Sequence, residues 1–170
     1  TDREAAKGKQ QGRTVEIQRL IGRSLRQAVD LETLGERQIT LDCDVLNADG
    51  GTRCAAITGA WVALVLALRA HSLEAALMRR VAAVSVGLLE PGAEGRQGLI
   101  LDLAYEEDVR VAVDANLVAT QALGGAGLEL VEFQAMGEGR SYTRAEAEAL
   151  MDLGLQGCAQ LMTAQAEALG

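Results

Sequence analysis

The sequence is poor in aromatic side chains: one tryptophan, two tyrosines and one phenylalanine in 170 residues, against a hydrophobic content of 49%. A core of this composition has to be assembled from Ala, Val, Leu and Ile. Histidine is scarcer still. His71 is the only one, which argues against Ser-His-Asp and Cys-His catalysis and against His-rich metal sites. Its place near a helix end makes it a surface residue. The cysteines Cys43, Cys54 and Cys158 show no C-x-x-C spacing, so a structural zinc site is excluded and a reducing, cytoplasmic setting fits better than a disulfide scaffold. The longest uncharged run, residues 54–68, falls short of the about 20 residues of a membrane span and reads as a buried helix, so no membrane partner is expected. No signal peptide is legible, and Thr1 is not an initiator residue. The length suits a single domain over residues 1–170 with a substantial core.

Positive charge is also in deficit, with a formal net charge of −8, but the deficit is uneven. Residues 1–26 hold Arg3, Lys7, Lys9, Arg13, Arg19, Arg23 and Arg26 against Asp2, Glu4 and Glu16, so a basic head precedes an acidic body. Such a head can hold a polyanion at one edge, or it can be a solvated arm.

What the chain does have is concentrated between residues 39 and 58. Ile39, Leu41, Cys43 and Val45 alternate with Thr40, Asp42 and Asp44, the pattern of a half-buried strand. A turn cluster, Asn47-Ala48-Asp49-Gly50-Gly51, follows, and Thr52-Arg53 opens an apolar helical run. A glycine pair entering a helix exposes backbone N–H groups at the positive end of the helix dipole. Gly51, the Thr52 hydroxyl and the Arg53 guanidinium therefore form a candidate anion site. The plainer alternative is a corner in which Asp49 or Thr52 merely caps the helix.

The rest of the chain reads as a polar entering segment over 1–11, a helix from about Val15 to Val29, and a turn over 30–36 stopped by Gly35. The helix after Arg53 is apolar almost all round and should be central, and a short helical piece covers 73–78. Strands are expected at 81–89, 99–105, 111–120 and 128–134, paired as hairpins through glycine-rich linkers. Thr143 and Glu146 form a capping box that opens a final helix over 144–168, with Leu150, Leu153, Cys158, Leu161 and Met162 inward and Gly154 and Gly157 either weakening it or permitting close packing. Helices on a hairpin-rich sheet make an α/β sandwich rather than a doubly wound fold. Asp108 and Asp114 are a second candidate site. In one straight strand they would lie about 20 Å apart, too far to share a metal, whereas a turn between them would allow both to hold one Mg²⁺ or Mn²⁺ near a phosphate. On charge pattern alone the acidic loop in water is the favoured reading.

Several of these stretches together resemble the bacterial ribonuclease PH family. The resemblance is carried by Asp42-Cys43-Asp44-Val45, Ala48-Asp49-Gly50-Gly51-Thr52-Arg53, Gly12-Arg13-Thr14, residues 3–10, 16–26 and 81–87, Tyr105-x-Glu107-Asp108 and Asp114-x-Asn116. It implies a ribosomal protein S5 domain 2-like two-layer sandwich with a mixed, hairpin-rich sheet, and a phosphate-dependent 3′→5′ exoribonuclease that trims tRNA precursor ends and releases nucleoside diphosphates. It assigns phosphate binding to Arg13, Thr52 and Arg53, metal binding to Asp108 and Asp114, and a homo-oligomeric ring of dimers, typically a hexamer. The basic residues Arg3, Lys7 and Lys9 would then meet RNA. Family chains carry several tens of residues, including early strands, ahead of the position of Thr1. The sequence departs from the family at Ala104 and Val109, where Asp and Ser are usual, and across residues 132–139. Those departures suggest the alternative of a non-catalytic ring subunit that binds RNA or partner subunits.

Overall fold

A computed structural model describes residues 12–47, 49–90 and 98–170. The entering segment over 1–11, with Arg3, Lys7 and Lys9, and most of the glycine-rich 90–98 linker lie outside the described residues. Helix α1 covers Gly12–Arg26 and the short α2 covers Leu31–Leu34, stopped at Gly35 (φ 69°). Helix α3 spans Thr52–Ala70, a 3₁₀ turn follows at Glu74–Ala76, and β1 runs from Arg79 to Leu89. Then come β2 (Gly98–Leu101), α4 (Tyr105–Asp108), β3 (Val111–Ala122), β4 (Leu128–Gly137) and α5 (Arg144–Leu169). The strands form one sheet in the order β2-β1-β3-β4, with every pairing antiparallel. The expected hairpins are thus present. The expected mixed sheet is, among the described residues, purely antiparallel.

Alternation along β1 divides the core in two. Val81 and Ala83, with Val118 of β3, pack with Leu20 and Leu25 of α1 and Ile57, Trp61 and Leu64 of α3. Ala82, Val84 and Val86, with Val113, Ala115 and Leu117, pack with Leu150, Cys158 and Met162 of α5. Successive β1 side chains point to opposite faces, so helices cover both sides of the sheet. Gly154 and Gly157 are buried in α5. A Cβ on Gly154 would sit 2.9 Å from Leu117 Cδ1, and one on Gly157 2.6 Å from Leu101 Cδ1, so these glycines serve close packing. Beyond the end of β2, the open edge of β1 is closed by helix side chains. Thr58 Oγ1 accepts from Ala83 N (3.0 Å) and donates to Ala83 O (3.1 Å), Trp61 Nε1 donates to Arg79 O (2.9 Å), and Gln165 Nε2 donates to Val81 O (2.9 Å). α3 is long and apolar enough to cross a membrane, yet its Ile57, Trp61, Leu64, Val65 and Leu68 are buried in this core.

Two expected strands are corrected. Residues 39–45 form no strand. Ile39 and Leu41 do pack against the α1/α3 core, but Cys43 and Val45 are exposed and no described strand lies beside the segment. Alternation encodes a two-faced surface; a strand also needs a neighbour to satisfy its backbone. The strand expected over 99–105 ends at Leu101. Asp102 takes a left-handed backbone (φ 58°), Leu103 turns inward, and Tyr105–Asp108 wind into α4. His71 is exposed at the C-terminal end of α3, as expected.

Candidate active site

The turn at residues 47–51 delivers α3 end-on. Gly51 is its N-cap, left-handed at φ 62°, and makes no side-chain cap hydrogen bond. The first helical bond runs from Ala55 N to Gly51 O (3.0 Å). The N–H groups of the first turn precede that bond and lack an intrahelical acceptor. Asp49 does not cap the helix. Its Oδ1 instead accepts from Tyr105 N at 3.2 Å. The plainer alternative of a side-chain-capped corner is therefore not the one adopted, and the end of α3 remains available to an anion with Thr52 and Arg53 beside it.

Arg53 is half-buried and its Nη1 lies 3.4 Å from Glu16 Oε1. That contact sets the first turn of α1 against the start of α3. Arg13, exposed and three residues before Glu16, lies on the same side of α1. Three of the phosphate-binding residues named from sequence thus come from two helix starts that meet. The other charged residues of α1 stay at the surface, where Arg23 pairs with Glu132 of β4.

The carboxylates approach from the sheet. Asp108 ends α4, a turn follows at Val109–Arg110, and Asp114 sits in β3 opposite Gly87. The chain therefore does turn between the two acids. Burial raises the Asp114 carboxyl above its ordinary value, the negative charges of Asp108 and Glu138 raise it further, and Arg53 opposes them. Arg53 is thus one of the charges that act on Asp114. The position of Asp114 on β3 also brings in Asn116, whose Oδ1 accepts from Cys54 Sγ at 3.2 Å. Burial pushes the Cys54 thiol up to about 12, so it is a neutral donor and not a nucleophile.

Among the described residues no group of three or more His, Cys, Asp or Glu could hold a metal by itself. Asp108 and Asp114, on either side of the Val109–Arg110 turn, are a donor pair of the kind that suits a hard divalent cation completing its shell with water and phosphate oxygens. Two clefts flank the neighbourhood. The larger, about 1070 Å³, runs between α1 and residues 37–45 and reaches Thr52, but neither Arg53 nor the carboxylates line it. The smaller, about 830 Å³, is bordered by Asp49, Gly50, Thr52, Asp102 and Leu103.

Sequence reasoning missed the residues that join the two halves. Ser85 is buried at 4% exposure; its carbonyl accepts from Asp102 N (2.8 Å) and its Oγ from Leu103 N (3.1 Å). Leu103 is buried with Leu89 and Val111, in space left by Gly87, where a Cβ would lie 2.7 Å from Val111 Cγ1 and 2.9 Å from Leu103 Cδ1. A signal was present: Ser85 is the one polar residue in the apolar run over 81–89, and Gly87 follows it by one strand period.

A helix start with no side-chain cap, an arginine in its first turn and two carboxylates on either side of a turn make a candidate site for phosphoryl groups. The comparisons narrow the class. The model of the 3′ exoribonuclease family, domain 1, matches residues 1–69. Ribonuclease PH of Caulobacter vibrioides (strain NA1000 / CB15N) is 55% identical over 174 residues, covering 99% of this chain and 68% of the relative. Ribonuclease PH of Bacillus mycoides (strain KBAB4) is 50% identical over 176 residues, covering 100% of this chain and 67% of that protein. Among solved structures, rice Rrp46 superposes with a TM-score of 0.68 at 18% identity, covering 96% of this chain and 68% of that one. The Archaeoglobus fulgidus exosome with RNA bound to the active site gives 0.63 at 16% identity, covering 92% and 63%. The chain belongs to the ribonuclease PH family and spans about two thirds of the length of these relatives.

Proposed function

We propose that the chain is a phosphate-dependent 3′→5′ exoribonuclease acting on the 3′ ends of tRNA precursors. The observation that carries this reading is 50–55% identity to proteins named ribonuclease PH over nearly the whole chain, and the start of α3 at Thr52-Arg53, which makes no side-chain cap hydrogen bond, agrees with it. An oxygen of inorganic phosphate attacks the phosphorus of the terminal nucleotide. The bond to the 3′ oxygen of the preceding nucleotide breaks, and that oxygen leaves as the new 3′ hydroxyl once protonated. The products are a nucleoside diphosphate and an RNA one residue shorter. The nucleophile arrives as an anion, so the scarcity of histidine is no obstacle. The chain has to place two anions in line and offset their repulsion.

Arg13, Thr52 and Arg53 would hold the attacking phosphate with the first-turn N–H groups of α3 after Gly51. Asp108 and Asp114 would hold Mg²⁺ or Mn²⁺, which when bound offsets charge on the reacting phosphates. Arg3, Lys7 and Lys9 would track the RNA backbone. Family relatives and exosome-like neighbours support a ring of subunits, and we extend this to a homo-oligomeric ring of dimers, a hexamer, in the cytoplasm. The alternative of a non-catalytic subunit is not favoured: both aspartates, Thr52 and Arg53 are present, and relatives at 50–55% identity are named as the enzyme. Incubating a short 3′-tailed RNA and Mg²⁺ with and without inorganic phosphate tests the reading. Diphosphates appearing only with phosphate are expected; monophosphates, or RNA loss indifferent to phosphate, would overturn it.

A further inference from the structure

The two halves of the site are borne by separate stretches of chain. Thr52 and Arg53 follow the 47–51 turn, whereas Asp108 ends a four-residue helix that follows β2. So short a helix cannot hold its own position. Its backbone is fastened instead to the 47–51 turn and to β1. Asp49 Oδ1 accepts from Tyr105 N, the first residue of α4, at 3.2 Å. Ser85 accepts from both Asp102 N and Leu103 N. Gly50 closes the joint. A Cβ there would lie 2.3 Å from Leu103 O, so the two stretches are in backbone contact, and a Cβ on Gly51 would sit 3.4 Å from Ser85 Oγ and 3.5 Å from Asp102 Oδ1. Within α4, Glu107 Oε2 accepts from Ala104 N at 3.0 Å, which orders its first turn.

We infer that Asp49 and Ser85 are positioning residues, a two-point latch that sets the separation between the phosphate-binding turn and the carboxylates Asp108 and Asp114. The inference rests on the phosphorolytic reading above and adds to it two residues that act through the backbone of the 102–105 connection. The Asp49 carboxylate matters here as a hydrogen-bond acceptor, not as a charge or a metal ligand. This separates it from Asp108 and Asp114, whose charge is the point.

The test compares Asp49→Ala with Asp49→Asn in the phosphorolysis assay, with wild type as reference. Asp49 is exposed, so neither variant disturbs the core. Misplacement of reacting groups by about 1 Å costs on the order of 100-fold in rate. Asp49→Ala should therefore lower kcat by roughly 10- to 100-fold while KM for phosphate stays within about twofold, the pattern of an interaction expressed in the transition state rather than in binding. Asp49→Asn keeps an acceptor oxygen and should recover most of the rate. Adding Ser85→Ala to Asp49→Ala should cost less than the product of the two single losses, since both act on one connection. An Asp49→Ala enzyme with wild-type kcat would overturn the latch, as would an Asp49→Asn enzyme as slow as the alanine variant. Either failure is distinct from failure of the functional reading, in which wild type itself releases no diphosphate with phosphate, and the latch falls with it.

Discussion

The α5 face of the sheet and the corner where α3 begins, the site side, are built by different means. On the α5 side, Leu150, Cys158 and Met162 meet Ala82, Val84, Val113 and Leu117 in a continuous apolar layer, brought close by Gly154 and Gly157. On the site side, the start of α3, the 102–105 connection and α4 are joined by a few hydrogen bonds and a backbone contact through Gly50. The first side is held by many small contacts that no single polar group controls. The second joint is made by few, beside the apolar packing of α1 and α3. Substitutions on the α5 side should therefore be read in stability, and those on the site side in turnover.

Asp114→Asn breaks the comparison hardest. Turnover should fall by at least about 100-fold, since on the proposed reading a carboxylate that would hold the metal is gone, while the folded chain becomes more stable at neutral pH. The sign follows from the raised carboxyl: the fold holds this proton more tightly than the unfolded chain does, so the stability tied to it is fully present below the ordinary value of 3.8 and is lost as pH rises through the raised folded value. Thermal melts at neutral pH check it, and a lower melting temperature would contradict it. Gly50→Ala comes next. Its Cβ would collide with the Leu103 carbonyl, and overpacking of this kind costs about 1–3 kcal/mol. Here activity should fall further than the folded fraction does, as paired assays and denaturant titrations would show. Leu150→Ala, fully buried on the opposite side, should cost about 2–5 kcal/mol in denaturant unfolding with kcat per folded molecule unchanged. Smallest is Glu146→Gln. The Arg140 guanidinium, then the Thr143 N–H and hydroxyl, hold the Glu146 carboxyl at about 2, below its ordinary 4.5. Its stabilisation is present above 4.5 and lost as pH falls toward 2, so the variant should flatten the stability profile in that window and leave turnover alone.

The α5 side was legible in the sequence. The capping box at Thr143 and Glu146 is made in both directions, with Thr143 N donating to Glu146 Oε2 (2.7 Å) and Glu146 N to Thr143 Oγ1 (3.2 Å). The inward residues expected of α5 all join or flank its core. The hairpins β1–β2 and β3–β4 lie where alternation and glycines put them. The site side was legible as chemistry but not as geometry. Gly51, Thr52, Arg53, Asp108 and Asp114 could be named because their residue types suit anions and cations. Their separation could not, because it depends on the left-handed Asp102 and on contacts 18 and 56 residues apart in the chain. The alternation over 39–45 misled for a related reason: it marks one buried face, and Ile39 and Leu41 do supply it, but pairing depends on a neighbouring strand that local pattern does not encode. Ser85 and Gly87 are an intermediate case, visible as exceptions in an apolar run yet silent about what they hold.

The most direct test of the account is a phosphate titration of diphosphate release from a 3′-tailed RNA by wild type and by Arg53→Ala, with products separated and identified. The account predicts saturable dependence on phosphate in wild type, and in Arg53→Ala a rate that is lost or recovered only at far higher phosphate. Superimposable titration curves for the two proteins would contradict it, because the helix start at Thr52-Arg53 would then have no part in holding the nucleophile.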